Sequence, residues 1–104
     1  MEILKKTEKL NELFSLYQSL LTEKQVDYFN MYYQLDYSLQ EIADNYQVSR
    51  NAIFDQLKKV EEHLYNYENK LKLNELKNKR NDLLDKYIES KNLIYLEELR
   101  KLDE

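Results

Sequence analysis

Glycine, proline and cysteine are all absent from this 104-residue sequence, and histidine occurs once. β-Hairpins, tight strand connections and phosphate-binding loops draw on glycine or proline, so a chain without either residue is expected to be built from helices. The same absence excludes the P-loop, the glycine-rich dinucleotide-binding motif and the nucleophile elbow. Without cysteine, disulfides, thiol nucleophiles and cysteine-bound zinc are excluded as well.

The remaining polar residues do not suggest a catalytic site. His63, the lone histidine, cannot form a paired-histidine metal motif, and beside Glu61 and Glu62 it is expected on a solvated helix surface. Adjacent carboxylates such as Glu97 and Glu98 diverge around a helix instead of converging on a substrate. We therefore predict that the protein is not an enzyme and holds no metal or cofactor.

Long apolar runs are also missing. The first ten residues contain no apolar stretch of signal-peptide length, and no later segment approaches the roughly 20 apolar residues of a membrane span. We therefore expect a cytoplasmic protein without a membrane span, and 42% apolar content fits one folded domain. The net charge is -4, so any contact with nucleic acid has to come from a local patch of cations.

What the sequence does contain is a set of helix-start signals. Thr22 and Ser38 are each followed three residues later by a side chain that completes a capping box, namely Gln25 and Glu41. Ser49 is a third N-cap, without a box partner. Each cap contributes about 1 kcal/mol, so helices are predicted to begin just after these three residues.

Two of these helices form a predicted helix-turn-helix between residues 38 and 64. Apolar residues recur there at separations of three and four, on a short helix and then on a longer one. They are Leu39, Ile42, Ala43 and Tyr46, followed by Ile53, Leu57, Val60 and Leu64. The turn between such helices usually has glycine in a left-handed conformation, and this chain has Gln47, at a cost of roughly 1 to 2 kcal/mol.

The rest of the chain also has helical periodicity. A first helix is predicted from near Ile3 to about Leu20, and a second after Thr22, which together support the helix-turn-helix as a four-helix head over residues 1–65. Residues 66–104 predict one long helical extension with an interruption at residues 89–92. Its apolar stripe could pack back on the core of the head. Because the stripe is longer than a small head can cover, we favour pairing with a helix of a second copy in a homodimer.

Four tyrosines cluster in the second predicted helix and the segment after it: Tyr28, Tyr32, Tyr33 and Tyr37. They could stack on bases, but tyrosines at these separations are more often amphipathic core residues. We favour the core interpretation.

The second helix of a helix-turn-helix lies in the DNA major groove, with its N-terminal residues near the base edges. Its predicted outward residues could make typical contacts: Arg50 with guanine or phosphate, Asn51 with adenine, Phe54 with a thymine methyl group and Lys58 with the backbone. Asp55 would repel phosphate unless it accepts from a cytosine amino group. Residues 38–64 carry three cations and five anions, so binding by one head is expected to be weak.

A second cationic segment follows, opposed there only by Glu75. It comprises Lys70, Lys72, Lys77, Lys79 and Arg80. Such clusters are usually solvated helix surface; the alternative is a site for the phosphate backbone of DNA or RNA.

Three segments carry a resemblance to a known family: LTEKQ at Leu21–Gln25, SLQEIA at Ser38–Ala43 and VSRNAIFD at Val48–Asp55. They resemble the YlxM family of small bacterial proteins, over about residues 1–88. The resemblance implies an all-α fold, a helix-turn-helix head like sigma factor region 4 with a long C-terminal helical extension. It implies a recognition surface made of Ser49, Arg50, Asn51, Phe54 and Lys58.

The resemblance also implies a cytoplasmic, non-enzymatic DNA-binding protein linked to the signal recognition particle pathway, because such genes neighbour those of the particle's GTPase and its receptor. The leading hypothesis is therefore a regulator that binds nucleic acid, DNA in preference to RNA. The alternative is an RNA- or protein-binding adaptor of signal recognition particle components, without sequence-specific DNA binding.

Overall fold

The computed structural model describes residues 2–103, and every regular element in that range is helical. The helices are α1 (Glu2–Tyr17), α2 (Glu23–Phe29), α3 (Leu39–Tyr46), α4 (Arg50–Leu71), α5 (Leu73–Ser90) and α6 (Ile94–Lys101). A 3₁₀ turn at Gln18–Leu20 follows α1, and a π-helical turn at Asn30–Gln34 follows α2. The predicted all-α class with a helix-turn-helix, here α3 and α4, is confirmed.

All three predicted helix starts are confirmed by hydrogen bonds. At α2, the Thr22 hydroxyl accepts from the Gln25 amide at 3.2 Å, and the Gln25 side chain accepts from the Thr22 amide at 3.1 Å. At α3, Ser38 and Glu41 form the same reciprocal pair. At α4, the Ser49 hydroxyl accepts from the backbone amide three residues on, at 3.1 Å. Local sequence alone therefore determined where these helices begin.

The turn of the helix-turn-helix has the predicted left-handed residue. Gln47 has φ 56° and ψ 44°. The amide of Val48 donates to the Ala43 carbonyl at 3.0 Å, which satisfies one of the last carbonyls of α3. The chain therefore leaves α3 in the geometry that glycine normally provides.

Replacing Gln47 with glycine tests this backbone conformation. We expect Gln47→Gly to be neutral or to raise the free energy of unfolding by up to about 1 kcal/mol, because relief of left-handed strain outweighs the entropy that glycine loses. Thermal unfolding followed by circular dichroism measures the effect. Gln47→Val serves as the control and should lower Tm, since a branched Cβ is disfavoured at positive φ; a lower Tm for the glycine variant would contradict the explanation.

Left-handed residues break the helices elsewhere as well. Positive φ values occur at Asp36, Gln47, Lys72 and Lys91, so polar side chains occupy positions where glycine would be usual. The interruption predicted at residues 89–92 is confirmed by Lys91, which ends α5. The prediction of one unbroken helix from residue 66 up to that interruption is wrong, because α4 continues to Leu71 and Lys72 separates it from α5. Lysine favours helix, so local propensity did not reveal this break.

The chain forms two compact units, the first ending at Lys70 and the second beginning at Leu71. The first unit holds two apolar clusters. One consists of Leu10, Leu13, Phe14, Tyr17, Phe29, Val60 and Leu64. The other consists of Tyr28, Ile42, Ala43, Ile53 and Leu57. Helix α4 contributes to both clusters, so its N-terminal half is packed with α3 and its C-terminal half with α1.

Polar contacts add to the packing of α1 with α4. The hydroxyl of Tyr17, itself buried, donates to Glu68 Oε1 at 2.7 Å. The hydroxyl of Tyr67 donates to the Leu20 carbonyl at 3.3 Å, just beyond α1. These contacts fix the C-terminal half of α4 against α1 and the 3₁₀ turn, and the N-terminal half of the same helix extends from there.

In the second unit, α5 and α6 pack against each other. Arg80 of α5 pairs with Asp103 at 2.7 Å, and the Asn92 side chain accepts from the Ile94 amide at 3.1 Å at the start of α6. The unit is therefore a helical hairpin closed by polar contacts.

Candidate nucleic-acid interface

Helix α4 has a buried side and an outward side, as the apolar spacing predicted. Ile53 is 0% exposed and Leu57 is 6% exposed. The five residues predicted to form the recognition surface are all exposed: Ser49, Arg50, Asn51, Phe54 and Lys58. The packing therefore leaves the N-terminal edge of α4 accessible, and the predicted contact residues lie together along it.

The first turn of α4 is the most favourable part of this edge for an anion. It contains no acidic residue, and Arg50 and Asn51 lie in it. Free amide groups at a helix N-terminus carry partial positive charge, which adds to the charge of Arg50. The Ser49 hydroxyl is already used as the N-cap, so its main role here is to hold this turn.

Farther along α4 the outward face becomes mixed in charge. Asn51, Asp55, Lys58 and Glu62 follow at helical spacing and are all exposed, so one cation lies between two acids. Repulsion between these acids and phosphate would confine a duplex to the first two or three turns of the helix. The structure thus places two of the five acids counted in the sequence, Asp55 and Glu62, on the outward face of α4.

A groove of about 940 Å³ runs along one side of α4, and its apolar lining includes Phe54, Leu57 and Tyr65 from α4 and Tyr32 and Tyr33 from the π-helical turn. Phe54 is 54% exposed there. Among the four clustered tyrosines, Tyr28 is buried and Tyr33 half-buried, which agrees with the core interpretation, whereas Tyr32 and Tyr37 are exposed. Of the two tyrosines that line the groove with Phe54, Tyr33 is therefore partly buried and Tyr32 remains exposed.

An ion pair lies at the rim of this groove. Lys6 Nζ is 2.8 Å from Glu61 Oε1. The hydrogen bond to Glu61, together with its negative charge, raises the pKa of Lys6. Burial raises the pKa of Tyr33, and the charge of Glu61 raises it further. Lys6 therefore offsets one of the acids of α4, a contact between distant segments that the sequence did not predict.

On the other side of α4, a second groove is lined by residues of α2 and α4, including Lys24 and Lys59. Both lysines are exposed, and sequence analysis did not select either of them. Lys59 adjoins the predicted Lys58 and could have been noticed, but Lys24 comes beside α4 only through tertiary packing. Glu23 and Asp55 line the same groove, so the two cations lie beside two acids there.

All five cations of the second predicted patch are exposed: Lys70, Lys72, Lys77, Lys79 and Arg80. The four that belong to the second unit, from Lys72 onward, do not form one stripe. Lys79 and Lys72 pair with Glu75 at 3.2 and 3.8 Å, and Arg80 pairs with Asp103. Residues two positions apart on a helix, such as Lys77 and Lys79, lie on nearly opposite sides. This arrangement favours solvated surface over a continuous phosphate-binding track.

Two features, a metal-binding cluster and a membrane-spanning helix, are absent from residues 2–103. No group of three or more acidic or histidine side chains is arranged to hold a metal ion in that range. None of the helices described there has the length and apolarity to cross a membrane.

The fold and the exposed edge of α4 define a helix-turn-helix protein. Residues 4–103 match the profile of the family described as "Putative helix-turn-helix protein, YlxM / p13 like", UPF0122. Among its relatives, a UPF0122 protein of Bacillus pumilus is 51% identical over 83 residues, covering 80% of this chain and 76% of the relative. One of Lactococcus lactis subsp. cremoris is 44% identical and covers 100% and 97%. The chain belongs to the UPF0122 family.

Proposed function

We propose that this protein is a non-enzymatic cytoplasmic regulator that binds duplex DNA through the N-terminal edge of α4. The observation that carries the proposal is the exposed edge from Ser49 to Lys58, on a helix whose opposite side is locked by Ile53 and Leu57. A helix held in this way can enter the major groove as a rigid body.

The contacts follow from side-chain chemistry and position. Arg50 at the first turn pairs with guanine or phosphate, and Asn51 pairs with adenine. Phe54 touches a thymine methyl group, and Lys58 meets the backbone. Lys24 and Lys59, which line the groove between α2 and α4, would supply further phosphate contacts. Because Asp55 and Glu62 oppose these cations, we expect modest affinity that falls steeply with salt.

Removing the two cations of the predicted surface tests the proposal. Arg50→Ala combined with Lys58→Ala should weaken binding to duplex DNA by at least about tenfold, because both phosphate and base contacts are lost. Fluorescence anisotropy with a labelled mixed-sequence duplex, measured across a salt series, gives the affinity and the salt slope. The slope should become shallower in the double variant.

Lys5→Ala combined with Lys101→Ala is the matched control. It removes the same charge from exposed positions on α1 and α6 and should leave the affinity within about twofold. Unchanged binding in the Arg50 and Lys58 variant, or equal loss in both variants, would exclude this edge as the binding surface.

The acids on the outward face of α4 favour a second candidate. Asp55 and Glu62 are exposed beside Lys58, and this mixed charge suits a protein partner better than the phosphates of a nucleic acid. In this case the protein would be an adaptor of the signal recognition particle. Offering the particle's RNA, its GTPase and duplex DNA side by side separates the candidates. Loss of RNA or GTPase binding on substitution of Lys77, Lys79 and Arg80, with no binding to DNA, would support the adaptor.

A further inference from the structure

Nearly half of the large apolar side chains of the second unit are exposed, and the others are only half-buried. None of the large apolar residues described between Leu71 and residue 103 is buried, and Leu73, Leu84 and Ile88 are 42%, 39% and 62% exposed. A helical hairpin of this size has too little interior to bury both faces of its helices, and such units usually gain stability from a partner. The exposed face of α5 is therefore the surface to explain.

This face is a continuous strip of α5. Leu76, Leu83 and Tyr87 are half-buried on the side where α5 packs with α6. The strip beside them is formed by residues that helical spacing brings to one side of α5, all of them exposed. These residues are Leu73, Lys77, Asn81, Leu84, Asp85 and Ile88.

The two charges on this strip have no complementary neighbour along α5. The residues three and four positions from Lys77 include no acid, and those at the same distances from Asp85 include no cation. Eight residues of helix separate the two charges by about 12 Å, too far for them to pair with each other. Within residues 2–103, neither side chain forms an ion pair, whereas Glu75, Lys79, Asp82 and Lys86 of the same helix do.

We propose that the strip is the dimer interface and that its occupant is α5 of a second copy, packed antiparallel about a two-fold axis at Asn81. Lys77 and Asp85 lie four residues before and after Asn81, so an antiparallel pairing puts Lys77 opposite the partner's Asp85 and repeats that contact by symmetry. The same register brings Leu73 beside the partner's Ile88 at each end of the strip, with Leu84 between Asn81 and the charged contact.

Self-complementarity is the reason to assign this strip to a second copy. The strip has opposite charges at equal distances from Asn81 and apolar residues at both ends. When a second copy is rotated by 180° about Asn81, each charge therefore faces its opposite and each apolar end faces an apolar end. Only one helix face per copy is covered, so association is expected to depend on concentration. A dimer would join two heads in one particle, each with its own α4.

A charge-swap experiment with the full-length chain tests the interface. The wild type should be a dimer by sedimentation velocity at concentrations on the order of 100 µM. Lys77→Glu alone and Asp85→Lys alone should each weaken dimerisation by about tenfold or more, because two like-charge contacts replace two attractive ones. An equimolar mixture of the two variants should form heterodimers, since every contact across that interface is again between opposite charges.

Lys79→Glu is the control, with the same change in net charge on another side of α5, and it should leave the dimer intact. Circular dichroism verifies that every variant keeps its helices. A monomeric wild type, single variants that dimerise normally, or a mixture that stays monomeric would each overturn the proposed interface. The outcome does not depend on whether α4 binds DNA, because no nucleic acid is present.

Discussion

Replacing Phe29 with alanine is expected to lower the free energy of unfolding by about 3 to 5 kcal/mol. Phe29 is 1% exposed, and its ring stacks on Phe14 with centroids 4.0 Å apart and planes 7° apart. The ring of Tyr33 also contacts Phe29, with the two ring centroids 4.6 Å apart. Alanine would remove both aromatic contacts and leave a cavity between α1, α2 and α4, which the surrounding helices can fill only in part.

Thermal and urea unfolding measure this loss, and Tm should fall by more than about 10 °C. Phe54→Ala is the control: the same side chain is removed from a position that is half exposed, so stability should change by about 0.5 kcal/mol or less. Similar losses in the two variants would mean that Phe29 does not hold the core in this way. A selective effect of Phe54→Ala on DNA binding would in turn agree with its place on the recognition edge.

The second large effect is expected for Ile53→Ala, at about 2 to 5 kcal/mol. Ile53 is fully buried in the cluster that includes Ile42 and Ala43 of α3, and it lies in the first turns of α4. Its loss removes the apolar contact that sets α4 against α3. We therefore expect lower stability together with weaker DNA binding under conditions where the variant is still folded, because the orientation of the edge is no longer enforced.

Ile94→Ala is the control, because it makes the same isoleucine-to-alanine change at an exposed position. Ile94 is 49% exposed in the first turn of α6, so the same truncation there should change stability by about 0.5 kcal/mol or less. Chemical denaturation of both variants, followed by anisotropy at a temperature where Ile53→Ala is at least nine-tenths folded, gives the two readouts. Full DNA affinity in a destabilised Ile53→Ala would show that its packing is not needed to position α4.

Much of the first unit was predictable because its signals are local. A capping box joins residues three apart, so Ser38 with Glu41 and Thr22 with Gln25 could be recognised before any fold was known. Helical spacing likewise separated buried Ile53 from exposed Arg50. These features depend on backbone geometry within one or two turns, and such geometry is nearly the same in every helix.

The break at Lys72 escaped prediction because nothing local marks it. Lysine is a good helix former and tolerates a left-handed backbone only at a cost, so the sequence pointed to a continuous helix. Gln47 has the same left-handed conformation, but the N-cap at Ser49 predicted the start of α4 and so placed a turn just before it. Lys72 has no side-chain cap hydrogen bond, so no comparable local signal marks the start of α5.

The sequence by itself determined the helical class, the helix starts and the inward and outward sides of α4, because each follows from interactions within a few residues. Only the tertiary structure brought Lys24 beside α4 and paired Lys6 with Glu61. Such contacts join residues far apart in the chain, and their geometry is set by the packing of whole helices. No local pattern encodes that packing.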